Sequence, residues 1–240
     1  MSYGLQLVPV LVPIVFWGIY HYYKDRHLPE PASSLLLAFT LGLLSAALSR
    51  VLYTALGWAS LRYDAIALAD GNTLGLLAYA MLGIGPVEEL AKLLPFLLMV
   101  VWHPQMDEPI DGIIYASFVA LGYAAVENVI YLAYLTPYES AARGFAGPVV
   151  HILFASIWGY TIGCARIRGD SLPRAIVTGF VIASGLHGLY DFIVLQRTVN
   201  ALPIAALLIL GVWIWRLRLL EVMQRRAARK ASNASRGRTD

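Results

Sequence analysis

Glu88, Glu89 and Lys92 lie together in Gly85-Pro86-Val87-Glu88-Glu89-Leu90-Ala91-Lys92, inside an apolar run covering residues 73–102. That run is long enough to cross a bilayer. Each charge at such depth costs about 2.5–3.5 kcal/mol on insertion scales, so ionisable residues there point to function. On a helix, Glu88 and Lys92 are four apart and share a face, while Glu89 points about 100° away. The plain alternative is a structural ion pair that orients helices.

Further candidates stand in later apolar runs: Glu127 with Asn128, then His151, then His187 with Asp191. His187 and Asp191 are one helical turn apart, so Asp191 either fixes the imidazole or joins the site. Two histidines with carboxylates form a nitrogen and oxygen donor set of the zinc type. A lone membrane histidine such as His151 is otherwise a hydrogen-bonded packing residue. No His-Glu-x-x-His is present, which excludes the common zinc-peptidase helix. The set suits hydrolysis: one glutamate takes a proton from water, and an imidazolium or a metal stabilises the oxyanion formed at a carbonyl. There is no Gly-x-Ser-x-Gly, and the single cysteine, Cys164, has no evident partner and reads as a small packing residue, so acyl-enzyme chemistry is disfavoured. His21, His27 and His103 fall at span ends or in loops and read as surface residues.

The elements that must position these groups are membrane helices. Of 240 residues, 59% are hydrophobic and 14% charged, against about 25% charged in soluble domains. The expected fold is all-α, a polytopic transmembrane bundle forming one domain over residues 1–223, with a basic, disordered tail over 224–240. About seven spans are read, over residues 3–23, 33–56, 73–102, 110–135, 147–167, 172–195 and 201–220. A polar hinge with two prolines, Pro29 and Pro31, follows the first span, and Gly85-Pro86 should loosen the third just before its glutamates. Charge sets the orientation. With the N-terminus outside and the C-terminus cytoplasmic, the inner side holds Lys24, Arg26, Arg166, Arg168, Arg174 and the eight basic residues from Arg216 onward, and the outer side holds Arg50, Arg62, Arg143 and Arg197. The basic tail is thus a topology signal, and no nucleic-acid partner is implied.

This reading predicts depths. Glu127 and His187 come about 12 Å below the outer ends of their helices, His151 only about 6 Å, and Glu88 and Glu89 near the midplane.

Taken in order, these motifs resemble the PrsW family of bacterial intramembrane proteases, related to the CAAX prenyl proteases. The resemblance runs from the hinge to about Phe192. It is carried by Glu88-Glu89-Leu90-Ala91-Lys92, by Tyr123-Ala124-Ala125-Val126-Glu127-Asn128, by His151 and by Leu186-His187-Gly188-Leu189-Tyr190-Asp191. Tyr123 stands where a phenylalanine is expected, and Asp191 where relatives often carry asparagine. The resemblance implies a multi-pass protein of the bacterial cell membrane that cleaves a single-span membrane protein, typically an anti-sigma factor, on the extracytoplasmic side. In that picture Glu88 is the general base and Glu89 holds a histidine or the water. His151 and His187 bind a metal, zinc by its donor set, or stabilise the oxyanion with Asp191 or Asn128. Lys92 sets the charge of the pair, and Glu127 is a further ligand or an orienting group. Two other classes fit the same residues: a proton-coupled transporter, against which no inverted repeat is seen, and a non-catalytic protein that binds membrane helices.

Overall fold

The computed structural model describes residues 3–24, 29–102 and 106–236. Asp25 to Leu28 of the hinge, with His27, and His103 lie outside the described residues. Helices make up the bundle: α1 (Tyr3–Lys24), α2 (Ala32–Trp58), α3 (Ala65–Gly71), α4 (Thr73–Tyr79), a π turn (Ala80–Ile84), α5 (Gly85–Trp102), α6 (Pro109–Tyr131), α7 (Pro137–Arg168), α8 (Leu172–Leu195) and α9 (Ala201–Arg236). No strand occurs among the described residues. Six segments are long and apolar enough to cross a membrane, with Thr73–Val100 counting as one, and a shorter apolar stretch, Leu7–Tyr23, lies in α1. Large apolar side chains such as Leu11, Leu36, Val51, Val181 and Leu207 remain exposed on the outer faces of the bundle, as a lipid-facing surface requires.

α6 is the centre. It is apolar all round and buried along most of its length, the pattern of a helix with neighbours on every side. α7 and α2 pack along it with α1 and α5, and α8 packs outside against α7 and α5. Small residues bring these backbones together. A Cβ on Gly42 of α2 would fall on the Val119 carbonyl of α6, and one on Gly112 of α6 on the Gly159 carbonyl of α7. Gly179 of α8 has no room for a Cβ against Trp158 of α7, and Gly188 of α8 has none against the Ala80 carbonyl at the π turn.

The π turn ends immediately before α5, three residues short of Glu88. Pro86 has no N–H for the Leu82 carbonyl, and its ring crowds that carbonyl, so the ladder widens here as expected from the sequence.

Two sequence expectations change. α7 begins ten residues before the expected span, at Pro137, where Thr136 and Glu139 form a capping box. The polar residues Tyr138, Glu139 and Ser140 hide this start from hydropathy. His151 therefore lies fourteen residues, about 21 Å, along its helix, while α6 ends at Tyr131 and leaves Glu127 one turn from its end. His21 is buried, its Nδ1 2.7 Å from the Trp17 carbonyl, because aromatic rings of Trp17 and Tyr20 cover it. α9 continues as helix to Arg236, its Ala, Arg and Lys being good helix formers.

Candidate functional site

α5, α6, α7 and α8 bring seven of the eight candidate residues into one buried network, directly or through a shared neighbour. Glu89 is its anchor. Fully buried, its Oε1 accepts from Lys92 Nζ at 2.5 Å and lies 2.7 Å from His187 Nδ1, and its Oε2 accepts from the Trp158 indole at 2.8 Å. The expected pairing of Lys92 with Glu88 is corrected: the ammonium bonds Glu89, three residues before it on the same helix. With three donors on one carboxylate, the desolvation cost of burying it is met by hydrogen bonds.

His187 is oriented by that bond. An Nδ1–H donated to Glu89 leaves Nε2 facing the other way, 3.6 Å from Glu88 Oε2 and 3.6 Å from Asp191 Oδ2. The ring stacks on Phe154, with centroids 5.1 Å apart. Glu89, rather than Asp191, fixes the imidazole. Asp191 Oδ2 is buried without a hydrogen-bond partner among the described residues. An orphaned carboxylate oxygen beside a free imidazole nitrogen calls for a cation, a water or a substrate group.

His151 meets His187 nearly edge to face, their centroids 5.2 Å apart. Its Nδ1 lies 3.3 Å from Lys92 Nζ, and its Nε2 lies 2.6 Å from Glu127 Oε2. Because an ammonium has no acceptor to offer, this arrangement gives the tautomer with the proton on Nε2, donated to Glu127. Glu127 Oε1 is in turn held by Arg143 NH2 at 2.9 Å, and the Arg143 guanidinium lies 3.6 Å over the Tyr131 ring. Each histidine is thus backed by a carboxylate, and each carboxylate by a cation.

Tyr123 shows why an aromatic sits four residues before Glu127. Its ring covers His151 edge-on, with Lys92 Nζ 5.1 Å from the ring centroid, and its hydroxyl faces Ser49 of α2 at 3.4 Å. The extra hydroxyl of tyrosine over phenylalanine thereby gains a neighbour in the core. Asn128 is the candidate left out. It is buried against Gly147, and its amide makes no hydrogen bond among the described residues.

Glu88, Trp158, Arg143 and Tyr53 differ in how visible they are in the sequence. Glu88 is buried and, among the described residues, carries one hydrogen bond, from the Tyr53 hydroxyl of α2 at 3.3 Å. Tyr53, Trp158 and Arg143 do not belong to the motifs. Trp158 carries a faint signal, being seven residues after His151 and hence on its face. Arg143 lies in the stretch read as a loop, where the capping box is the signal that would have placed it on a helix. Nothing in the sequence marks Tyr53.

Glu88, His151 and His187 each offer a ligand atom within 4.8 Å of the other two, and all three residues are buried. Two nitrogens and one oxygen match a zinc-type donor set once Lys92 gives up its contact with His151 Nδ1, the nitrogen that this tautomer leaves unprotonated. The backing of each histidine by a carboxylate is the arrangement that orients metal-binding imidazoles.

A family model described as PrsW family intramembrane metalloprotease matches residues 30–216. The chain is similar to proteins named Protease PrsW. That of Geobacillus kaustophilus is 30% identical over 178 residues, covering 74% of each chain. That of Bacillus subtilis is 30% identical over 175 residues, covering 72% of this chain and 75% of the relative. That of Clostridioides difficile is 27% identical over 228 residues, covering 90% and 87%. No solved structure matches the chain.

Proposed function

The chain belongs to the PrsW family of intramembrane metalloproteases, a multi-pass bacterial membrane protein, and from that premise we propose that it hydrolyses a peptide bond of a single-span membrane protein, of the anti-sigma-factor kind, at the extracytoplasmic side. The observation that carries the reading is a glutamate and two imidazoles converging in the buried interior of membrane-spanning helices. The charge asymmetry between inner and outer segments supports the side.

In this mechanism Glu88 takes the proton of the attacking water. Its single hydrogen bond, from Tyr53, leaves the second carboxylate oxygen directed at the space beside His187 Nε2. Glu89 holds His187 with Nε2 forward, and Glu127 holds His151, so both rings are positioned before substrate arrives. Asp191, with its unpaired oxygen, accepts from the water or from the amine that leaves. His151, His187 and Glu88 are the residues that would hold zinc, which when bound supplies Lewis-acid polarisation of the carbonyl and the water. Helix packing buries Glu89, Lys92 and His187, which strengthens the interactions among them.

The test compares new protein N-termini in host membranes carrying the wild type or His187→Ala. Cleavages found only with the wild type are expected to fall beside membrane-spanning segments. Identical profiles under several envelope stresses would end the protease reading, and proton flux in vesicles would then test transport.

Arg143→Ala is expected to weaken zinc binding and cleavage by about ten- to a hundredfold, the usual effect of removing an outer-shell support. Arg143→Lys should recover part of both, since the charge on Glu127 is kept. Chelator competition for zinc provides the measurement. Unchanged affinity in Arg143→Ala would show that Glu127 needs no anchor.

A further inference from the structure

We infer that Tyr53 of α2 is a positioning residue for the reaction: its hydroxyl holds one oxygen of the Glu88 carboxylate so that the other meets the attacking water. This rests on the proteolytic reading above and adds to it a residue from a helix that supplies none of the charged groups of the site.

Glu88 stands apart from the carboxylates around it. Glu89 is fixed by Lys92, His187 and Trp158, and Glu127 by His151 and Arg143. Among the described residues no lysine or arginine pairs with Glu88, and His187 Nε2, at 3.6 Å, lies beyond hydrogen-bond distance. The Tyr53 hydroxyl, 3.3 Å from Oε1, is therefore the donor that restrains this carboxylate. The last torsion of a glutamate is broad and two-fold, so an unheld carboxylate turns and exchanges the oxygen that faces His187. Holding it before the substrate arrives removes that misalignment from the barrier.

α2 delivers the hydroxyl at a fixed height. Gly42, Ser45, Ser49 and Tyr53 are spaced by three and four residues and so share one face. The first three are buried. A Cβ on Gly42 would fall on the Val119 carbonyl of α6, and one on Gly122 of α6 on the Phe39 carbonyl of α2, so α2 has no room to roll or slide. Ser45 and Ser49 donate to carbonyls of their own helix, whereas Tyr53 donates across to α5, on which α2 also packs.

The chemical step needs no proton from Tyr53. An O–H bond of water breaks as its proton passes to Glu88 Oε2. The water oxygen bonds the carbonyl carbon, and the π pair of the carbonyl moves to its oxygen. The phenol keeps its own proton throughout, and Oε1 remains an acceptor whether Glu88 is charged or neutral. Phenylalanine fills the same space as the tyrosine ring, so packing and positioning are separable by one substitution.

The test uses the membrane protein that the wild type cleaves, reconstituted with the enzyme in vesicles. Tyr53→Phe is expected to lower kcat by about ten- to a hundredfold, the worth of one hydrogen bond to a charged group, with KM within about twofold. In a Glu88→Gln background the same substitution should change the residual rate by less than about twofold, because the two residues act as one unit. Thr54→Val, at the neighbouring exposed position of α2, should also stay within about twofold of wild type. Independently of turnover, the carboxylate infrared band that Glu88→Gln removes should shift in frequency when Tyr53→Phe is present in both proteins compared. A wild-type kcat in Tyr53→Phe, an equal loss in the Glu88→Gln background, or an unshifted band overturns the role of Tyr53 and leaves the protease reading standing. A wild type that cleaves no membrane protein overturns both.

Discussion

Glu88→Gln is expected to lower cleavage by about a thousandfold, within the range for loss of a positioned general base, while the protein unfolds at the wild-type temperature. Glutamine keeps the shape and still accepts from Tyr53, so little folding energy is lost. What disappears is the capacity to take a proton from water. Glu88 is the one carboxylate of the inner cluster with a single hydrogen bond, whereas Glu89 has three close partners and Glu127 two. Zinc affinity measured on the same variant separates two roles for Glu88. If affinity holds while turnover is lost, Glu88 acts on the water; if both fall together, it is a ligand first. A variant retaining more than a tenth of wild-type turnover would remove Glu88 from the reaction.

Glu89→Ala is expected to fail in a different way, by loss of the fold around the site. Removing one partner of a buried, hydrogen-bonded ion pair costs about 3–5 kcal/mol, because the other charge stays buried and unpaired. Here Lys92, with no exposed surface, would be left facing His151, and the Trp158 indole and His187 Nδ1 would lose their acceptor. Thermal unfolding in detergent should show a marked destabilisation for Glu89→Ala that Glu88→Gln lacks. The double variant Glu89→Ala with Lys92→Met should regain much of the stability, since no buried charge remains, yet no activity, since His187 has lost its orienting bond. Equal stability of Glu89→Ala and the wild type would mean that the pair does not carry the packing of α5 on α7 and α8. Adjacent glutamates are thus assigned opposite tasks, one chemical and one structural.

The contrast between those two residues shows what each level of organisation supplied. Spacing placed Glu88, Glu89 and Lys92 on one helix but paired the wrong glutamate with the lysine. Separations of three and four residues both put side chains in reach, and only the surrounding helices choose between them. Here the choice falls to His187 and Trp158, which reach Glu89 from α8 and α7.

The sequence by itself determined the membrane-spanning, all-helical architecture, because apolar runs of bilayer length admit no other backbone in lipid. It also pointed to seven of the residues that meet in the buried cluster, because a charge in an apolar run is costly without partners. Tertiary structure alone decided the rest. It set the position of His151 within its helix, through a polar first turn that hydropathy cannot register as helix. It recruited Tyr53, Arg143 and Trp158, whose residue types are ordinary at those positions and whose roles exist only across helix interfaces.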